Sequence, residues 1–143
     1  LIKSQTVRYI ANDELESFKK IQLISDYITK KELEITKFNT INHIDKSISI
    51  NGRNLTNLGL FRKYITRYLE THNGLNKEML LVCRQLQPTS QGIPLEVYVF
   101  SKDKKWENYE YIMADIFDHI IASVPFFELE LFELPSEGRS VYL

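Results

Sequence analysis

The stretch MLLVCRQLQPTSQGIPLEVYVFS, residues 79–101, decides how the rest of the chain can be arranged. Two apolar runs, each short for a helix and rich in β-branched and aromatic residues, flank a Pro-Thr-Ser-Gln-Gly interruption. The pattern predicts a strand over 79–87, a hairpin loop over 88–92 and an antiparallel returning strand over 94–101. Within the second strand Leu95, Val97 and Val99 make one apolar face, and Glu96, Tyr98 and Phe100 make a mixed face only partly suited to water. Cys83, the single cysteine, has no internal disulfide partner and sits in MLLVCRQL. It reads as a small apolar core residue in a reducing compartment, since a reactive thiolate needs an electropositive, accessible setting.

Working outward, both flanks of the hairpin read as helices. On the C-terminal side Trp106, Tyr109, Ile112, Met113, Ile116, Phe117, Ile120 and Ile121 fall in one broad helical stripe, predicting a helix over 106–124. Pro125 follows it, and the alternating FELELF predicts a final strand. On the N-terminal side Thr56 or Asn54 can cap a helix on which Leu58, Phe61, Ile65, Tyr68 and Leu69 share a side, with Asn73-Gly74 as the stop. Such an amphipathic helix is expected to cover a sheet.

Upstream, SISING predicts a short strand ending in an Asn-Gly turn, preceded by a polar loop over 36–46. Before that, a helix from Asn12 or Asp13 towards Ile35 is expected, with Asp13 and Glu16 in capping-box spacing. Phe18, Ile21 and Ile28 lie on one side of it and Leu23 and Tyr27 on another, the pattern of a helix held between two surfaces, one of which can belong to another subunit. The opening LIKSQTVRYI is β-prone at Val7, Tyr9 and Ile10. With an insertion at about 11–55 set aside, the order is βαββαβ. The expected fold is therefore α+β: a ferredoxin-like sandwich carrying an inserted helix and short β element between the first strand and the first core helix. One domain over 1–135 and a C-terminal tail over 136–143 account for the chain.

The totals exclude several function classes. With 43% hydrophobic residues the 143-residue chain can bury a core unaided. Eighteen basic residues against nineteen acidic ones leave no basic field for nucleic acid or an anionic membrane. No window reaches the ~18 apolar residues of a membrane span. A start at Leu1, with strand-like residues already under way, is the pattern expected of a piece of something longer.

No Ser/His/Asp or Cys/His arrangement stands in a motif, and the glycines mark turns, not phosphate loops. His43, His72 and His119 have no cysteine at metal-site spacing. Asp115, Asp118 and His119 have the i, i+3, i+4 spacing that could meet a divalent ion, but a solvated helix face or subunit contact explains them, and no metal is expected. Glu128, Glu130 and Glu133 read as an exposed strand face. Tyr98 and Phe100 could stack RNA bases on a ferredoxin-like sheet, but GIPLEVYVFS lacks the glycine-aromatic-glycine run and Glu96 would confront phosphate. No catalytic residue and no cofactor-binding residue is identified.

Three stretches standing in order, NGRNLTNLGLFRKYITRYL (51–69), LLVCRQLQPTSQGIPLEVYVFS (80–101) and WENYEYIMADIFDHIIASVPFFELELFELP (106–135), carry a resemblance. Together they resemble the C-terminal cytoplasmic domain of bacterial mechanosensitive ion channels of the small-conductance family, in its miniconductance branch. The resemblance implies a homo-oligomer, usually a heptamer, in the bacterial cytoplasmic membrane, opened by bilayer tension in osmotic downshock. This domain would form part of a cytoplasmic vestibule wall past which ions and small solutes move, joined to the membrane only through spans that precede it. It would need no cofactor and catalyse nothing. Arg53, Asn54, Thr56 and Asn57 would then cap a helix and fix the inserted element, and Trp106 would anchor the last helix. The mixed sheet face with Tyr98 and Phe100, and the inserted helix with Leu23 and Tyr27, would meet neighbouring subunits. Two rival readings are a small-molecule-sensing regulatory module, and an enzyme using the Asp115/Asp118/His119 face.

Overall fold

The computed structural model describes residues 1–133. Its elements are helices α1 (Asn12–Phe18), α2 (Ser25–Ile41) and α3 (Asn57–Thr71), strands β1 (Val82–Gln85) and β2 (Leu95–Tyr98), and helix α4 (Trp106–Ser123). Short 3-10 turns occupy Ser4–Thr6, Gln22–Ile24 and Val124–Phe127. The fold is mixed α+β: the described residues form four α-helices and one two-stranded antiparallel sheet.

Helix α3 is the centre of the packing. Leu58, Leu60, Phe61, Ile65 and Leu69 are all buried, more than a single stripe, because the chain covers this helix on several sides. Thr56, extended at φ −114°, ψ 155°, starts it by accepting the Gly59 N–H on its hydroxyl at 3.0 Å. Phe127, in the last 3-10 turn, enters the core against Phe18, Phe61 and Tyr64, with ring centroids 6.1, 5.2 and 5.4 Å away.

The hairpin forms with the expected polarity, pairing Cys83 with Val97 and Arg84 with Glu96. Leu95, Val97 and Val99 pack on the core, and Arg84 donates to Glu96 across the outer face at 2.8 Å. Cys83 is half-buried against the core. Burial pushes its thiol up to about 11, so it stays protonated at neutral pH.

Several expected elements differ. The helix expected from Asn12 to Ile35 is broken: α1 ends at Phe18 and α2 begins at Ser25, so that Phe18 and Ile24 can both reach the core. Arg67 of α3 holds the break, donating to the Leu23 carbonyl at 3.0 Å and to Asp26 at 3.1 Å. Helix α2 then runs through the expected polar loop to Ile41, since nothing between 36 and 41 is glycine or proline to stop it. His43, at φ 53°, ends the turn that follows. At α1 the cap is Ala11, whose N–H is met by Glu14 at 3.0 Å, in place of the expected Asp13–Glu16 pair.

SISING forms turns and not a strand, because the Lys46 ammonium gathers the Ser49 and Asn51 carbonyls into a closed loop. Helix α3 stops at Thr71, before Asn73-Gly74, and Gly74 is not left-handed. The opening segment and FELELF form single rungs, not strands. Ile2 bridges Ile93 on one side and Leu131 on the other, both antiparallel, and Tyr9 bridges Thr56. FELELF cannot extend because Pro125 leads into the 3-10 turn and Glu128 adopts a left-handed conformation at φ 55°, which turns the chain away once Phe127 is buried. Gly92 permits the Ile2 rung: at φ 115° a side chain is strained, and a Cβ there would stand 2.5 Å from the Ile2 carbonyl oxygen. The expected tail, 136–143, lies outside the described residues.

Candidate functional site

The polar run Arg53–Asn57 divides into two unequal parts. Arg53 and Asn54 belong to the surface loop. The Arg53 guanidinium stands 5.6 Å above the Phe38 ring, and Asn54 accepts from the Lys46 ammonium. Asn57 belongs to the core, and Thr56 lies half-buried beside it. Leu55 to Asn57 run antiparallel to Arg8 to Ile10, through Ile10 N–H to Leu55 C=O at 2.9 Å and Asn57 N–H to Arg8 C=O at 3.1 Å.

The Asn57 side chain is fully buried and its amide is saturated. Its oxygen accepts the Arg8 and Leu58 N–H groups, both at 2.9 Å, and its nitrogen donates to the Thr6 carbonyl at 2.9 Å and the Phe127 carbonyl at 3.0 Å. One amide thus joins the opening segment, the start of α3 and the last 3-10 turn. An ion cluster reinforces this joint from outside. Arg8 grips Glu14 with both guanidinium nitrogens, at 2.9 and 2.7 Å, and also meets Glu128. The Arg8 hydrogen bonds, then the Ala11 N–H, hold Glu14 below its ordinary value. Glu130 pairs with Lys3 at 3.2 Å, so these carboxylates serve ion pairs and do not face one another.

A second cluster lies between α3 and α4. His119 stacks on Tyr68, with centroids 4.0 Å apart and planes 14° from parallel, and its Nε2 meets the Tyr64 hydroxyl at 2.7 Å. His72 accepts the Gly74 N–H on Nδ1 at 3.0 Å, which puts its proton on Nε2, where it donates to Asp115 at 3.0 Å. Burial, then the Asp115 charge, hold the Tyr68 phenol above its ordinary value. The Asp115 carboxylate and the His119 Nε2 thus take different hydrogen-bond partners, His72 and Tyr64, and both residues border Tyr68. Among the described residues no three His, Cys, Asp or Glu side chains converge as a metal site. The cluster is an aromatic, hydrogen-bonded seam that fastens α4 to α3.

The expected subunit-contact residues separate in the same way. Leu23 and Tyr27 are half-buried on their own chain, and the Tyr27 ring faces the Lys63 ammonium at 5.0 Å and that of Lys31 at 5.9 Å. They are not a bare surface. Tyr98 is exposed and meets Phe100 edge-on at 5.4 Å, on the outer face of the hairpin. Trp106 does not anchor α4: it is 73% exposed on the first turn, and Ile112, Met113, Ile116 and Ile120 do the anchoring. The broad apolar stripe of α4 has split. One edge packs inward, and the other presents Trp106, Tyr109, Phe117 and Ile121 to solvent, with Phe126 beyond them. Leu33 and Ile41 on α2 are also bare, and Ile41 lies beyond the point where the helix was expected to end. No described helix is long and apolar enough to cross a membrane. No family model matches the chain, and no solved structure matches it.

Proposed function

We propose that this chain is a vestibule-wall domain of a tension-gated channel of the small-conductance mechanosensitive family, working packed beside copies of itself on the cytoplasmic side of a bacterial membrane. The motifs in 51–69, 80–101 and 106–135 support the reading. So does the lateral order of the rungs, Leu131, Ile2, Ile93 with β2, then β1, each antiparallel to the next, which is the order of a ferredoxin-like split βαβ sheet.

The observation that carries the proposal is the bare edge of α4. Trp106, Tyr109, Phe117 and Ile121, spaced by three, eight and four residues, fall along one side of the helix and are 73%, 41%, 54% and 53% exposed. A second apolar stripe on a helix that already has a buried one is costly in an isolated monomer, and a neighbouring copy would relieve it. In a ring, usually a heptamer in this family, the domain would line a space through which ions and small solutes pass, and Asn57 and Arg8 would keep that wall rigid.

The test has two parts. The parent coding sequence should encode several apolar spans of ~20 residues upstream of Leu1, and patches of membrane carrying the full-length protein should pass tension-activated current. In that protein Phe117→Asp with Ile121→Asp should shift sedimentation towards smaller species. Unchanged assembly, or membranes silent under tension with expression verified, would sink the proposal. One observation favours the rival sensing module: a cleft between α2 and the loop that follows it.

A further inference from the structure

That cleft has a volume of about 420 Å³ and lies between α2, the segment around Ile10 and the loop over 44–55. Its floor is aliphatic, made by Ile10 and Leu15, which are buried, with Ile35, Ile44 and Leu55. Its walls are held in place by the chain itself. Asn39 clamps the Arg53 backbone, accepting its N–H at 3.0 Å and donating to its carbonyl at 3.3 Å, while the Asn39 carbonyl accepts the Ile44 N–H at 2.9 Å. Lys46 ties the loop to itself through the Ser49 and Asn51 carbonyls and the Asn54 side chain. A preformed concavity of this size, apolar below and polar at the rim, suits a small molecule.

The charges at the rim select which kind. Glu32, Lys46 and Arg53 are the ionic side chains that line it. Glu32 is paired with Lys19 at 2.9 Å, an ammonium it shares with Glu16 at 2.8 Å, and the three donors of Lys46 are spent on the loop. Arg53 also lines the cleft; its guanidinium stands 5.6 Å from the centre of the Phe38 ring, and among the described residues it has no hydrogen-bonded or ionic partner. An aliphatic floor with one uncommitted arginine among its lining residues matches an apolar tail that ends in a planar anion.

We propose that this cleft binds a small amphipathic carboxylate, its tail on Ile10, Leu15, Ile35 and Ile44 and its head on Arg53. The proposal does not rest on the channel reading, and a soluble protein would bind the same way. To test it, the ¹⁵N-labelled 143-residue protein is titrated with octanoate below its micellar concentration. Acetate serves as the tail-less control and octyltrimethylammonium as the charge-reversed one. Octanoate should give saturable shifts at Ile35, Asn39, Ile44 and Leu55, and both controls should bind at least ten-fold more weakly. Arg53→Gln should weaken octanoate by about ten-fold or more, the loss expected for a charge-assisted hydrogen bond. Thr36→Trp, at an exposed rim position, should abolish the shifts by filling the opening. Non-saturating shifts, equal binding of octyltrimethylammonium, an unchanged affinity in Arg53→Gln, or shifts confined to Tyr109, Phe117 and Ile121 of α4 would each overturn it.

Discussion

Replacing Asn57 by alanine removes four hydrogen bonds from a fully buried position. The two N–H groups of Arg8 and Leu58 and the two carbonyls of Thr6 and Phe127 lose their partner together. A buried backbone group left unpaired costs ~1–3 kcal/mol. If relaxation and water recover half of the four, Asn57→Ala should lose about 4 kcal/mol. Equilibrium urea unfolding, followed by far-ultraviolet circular dichroism, reads this as a midpoint shift of about 2 M at an m-value of ~2 kcal/mol/M. Asn57→Asp separates the two halves of the amide. It keeps the acceptor for Arg8 and Leu58 but turns carboxylate oxygen towards the Thr6 and Phe127 carbonyls, so at neutral pH it should be at least as damaging as alanine. Protonation in acid restores one donor, so the gap from wild type should narrow as pH falls. Asn54→Ala, in the surface loop, should stay within about 0.5 kcal/mol, as surface substitutions do. An Asn57→Ala midpoint within about 0.3 M of wild type, with an unchanged m-value, would refute the view that this amide joins the three segments.

Gly92→Ala should lose about 2 kcal/mol or more in the same assay, since it combines a strained backbone with a clash on the Ile2 carbonyl. Glu14→Gln should cost at most about 1 kcal/mol, because the Arg8–Glu14 side chains are 36% and 29% exposed and solvent screens them. Glu14 is held low in the folded state, so its contribution is full above its ordinary value of 4.5 and fades as pH falls through the lower folded value. Stability curves of wild type and Glu14→Gln should therefore separate above pH ~4.5 and converge in stronger acid. Cys83 should react slowly with a disulfide reagent at pH 8 in the folded protein and rapidly in denaturant, since its folded thiol titrates only at about 11; equal rates in the two states would contradict its placement against the core.

What the sequence determined by itself is local. The periodicity of 58–69 and 106–124 specified α3 and α4, the paired β-prone runs specified the hairpin and its polarity, and Asn54 or Thr56 before an apolar periodic run offered a cap, which the structure assigns to Thr56. Each is decided by residues within a turn or two of one another. The tertiary structure alone decided the rest, because the deciding partners are far away in the chain. Asn54 and Asn57 carry the same amide three residues apart, yet only Asn57 finds Thr6, Arg8 and Phe127 around it, 51, 49 and 70 residues distant. The alternation of FELELF is that of a strand, but burying Phe127 among Phe18, Phe61 and Tyr64 takes precedence over pairing, and one rung at Leu131 remains. The apolar stripe of α4 was legible, but not which edge of it would be covered, since that depends on how much surface α3 offers. Local pattern records what a segment is able to bury; only the assembled chain decides what each segment is buried against.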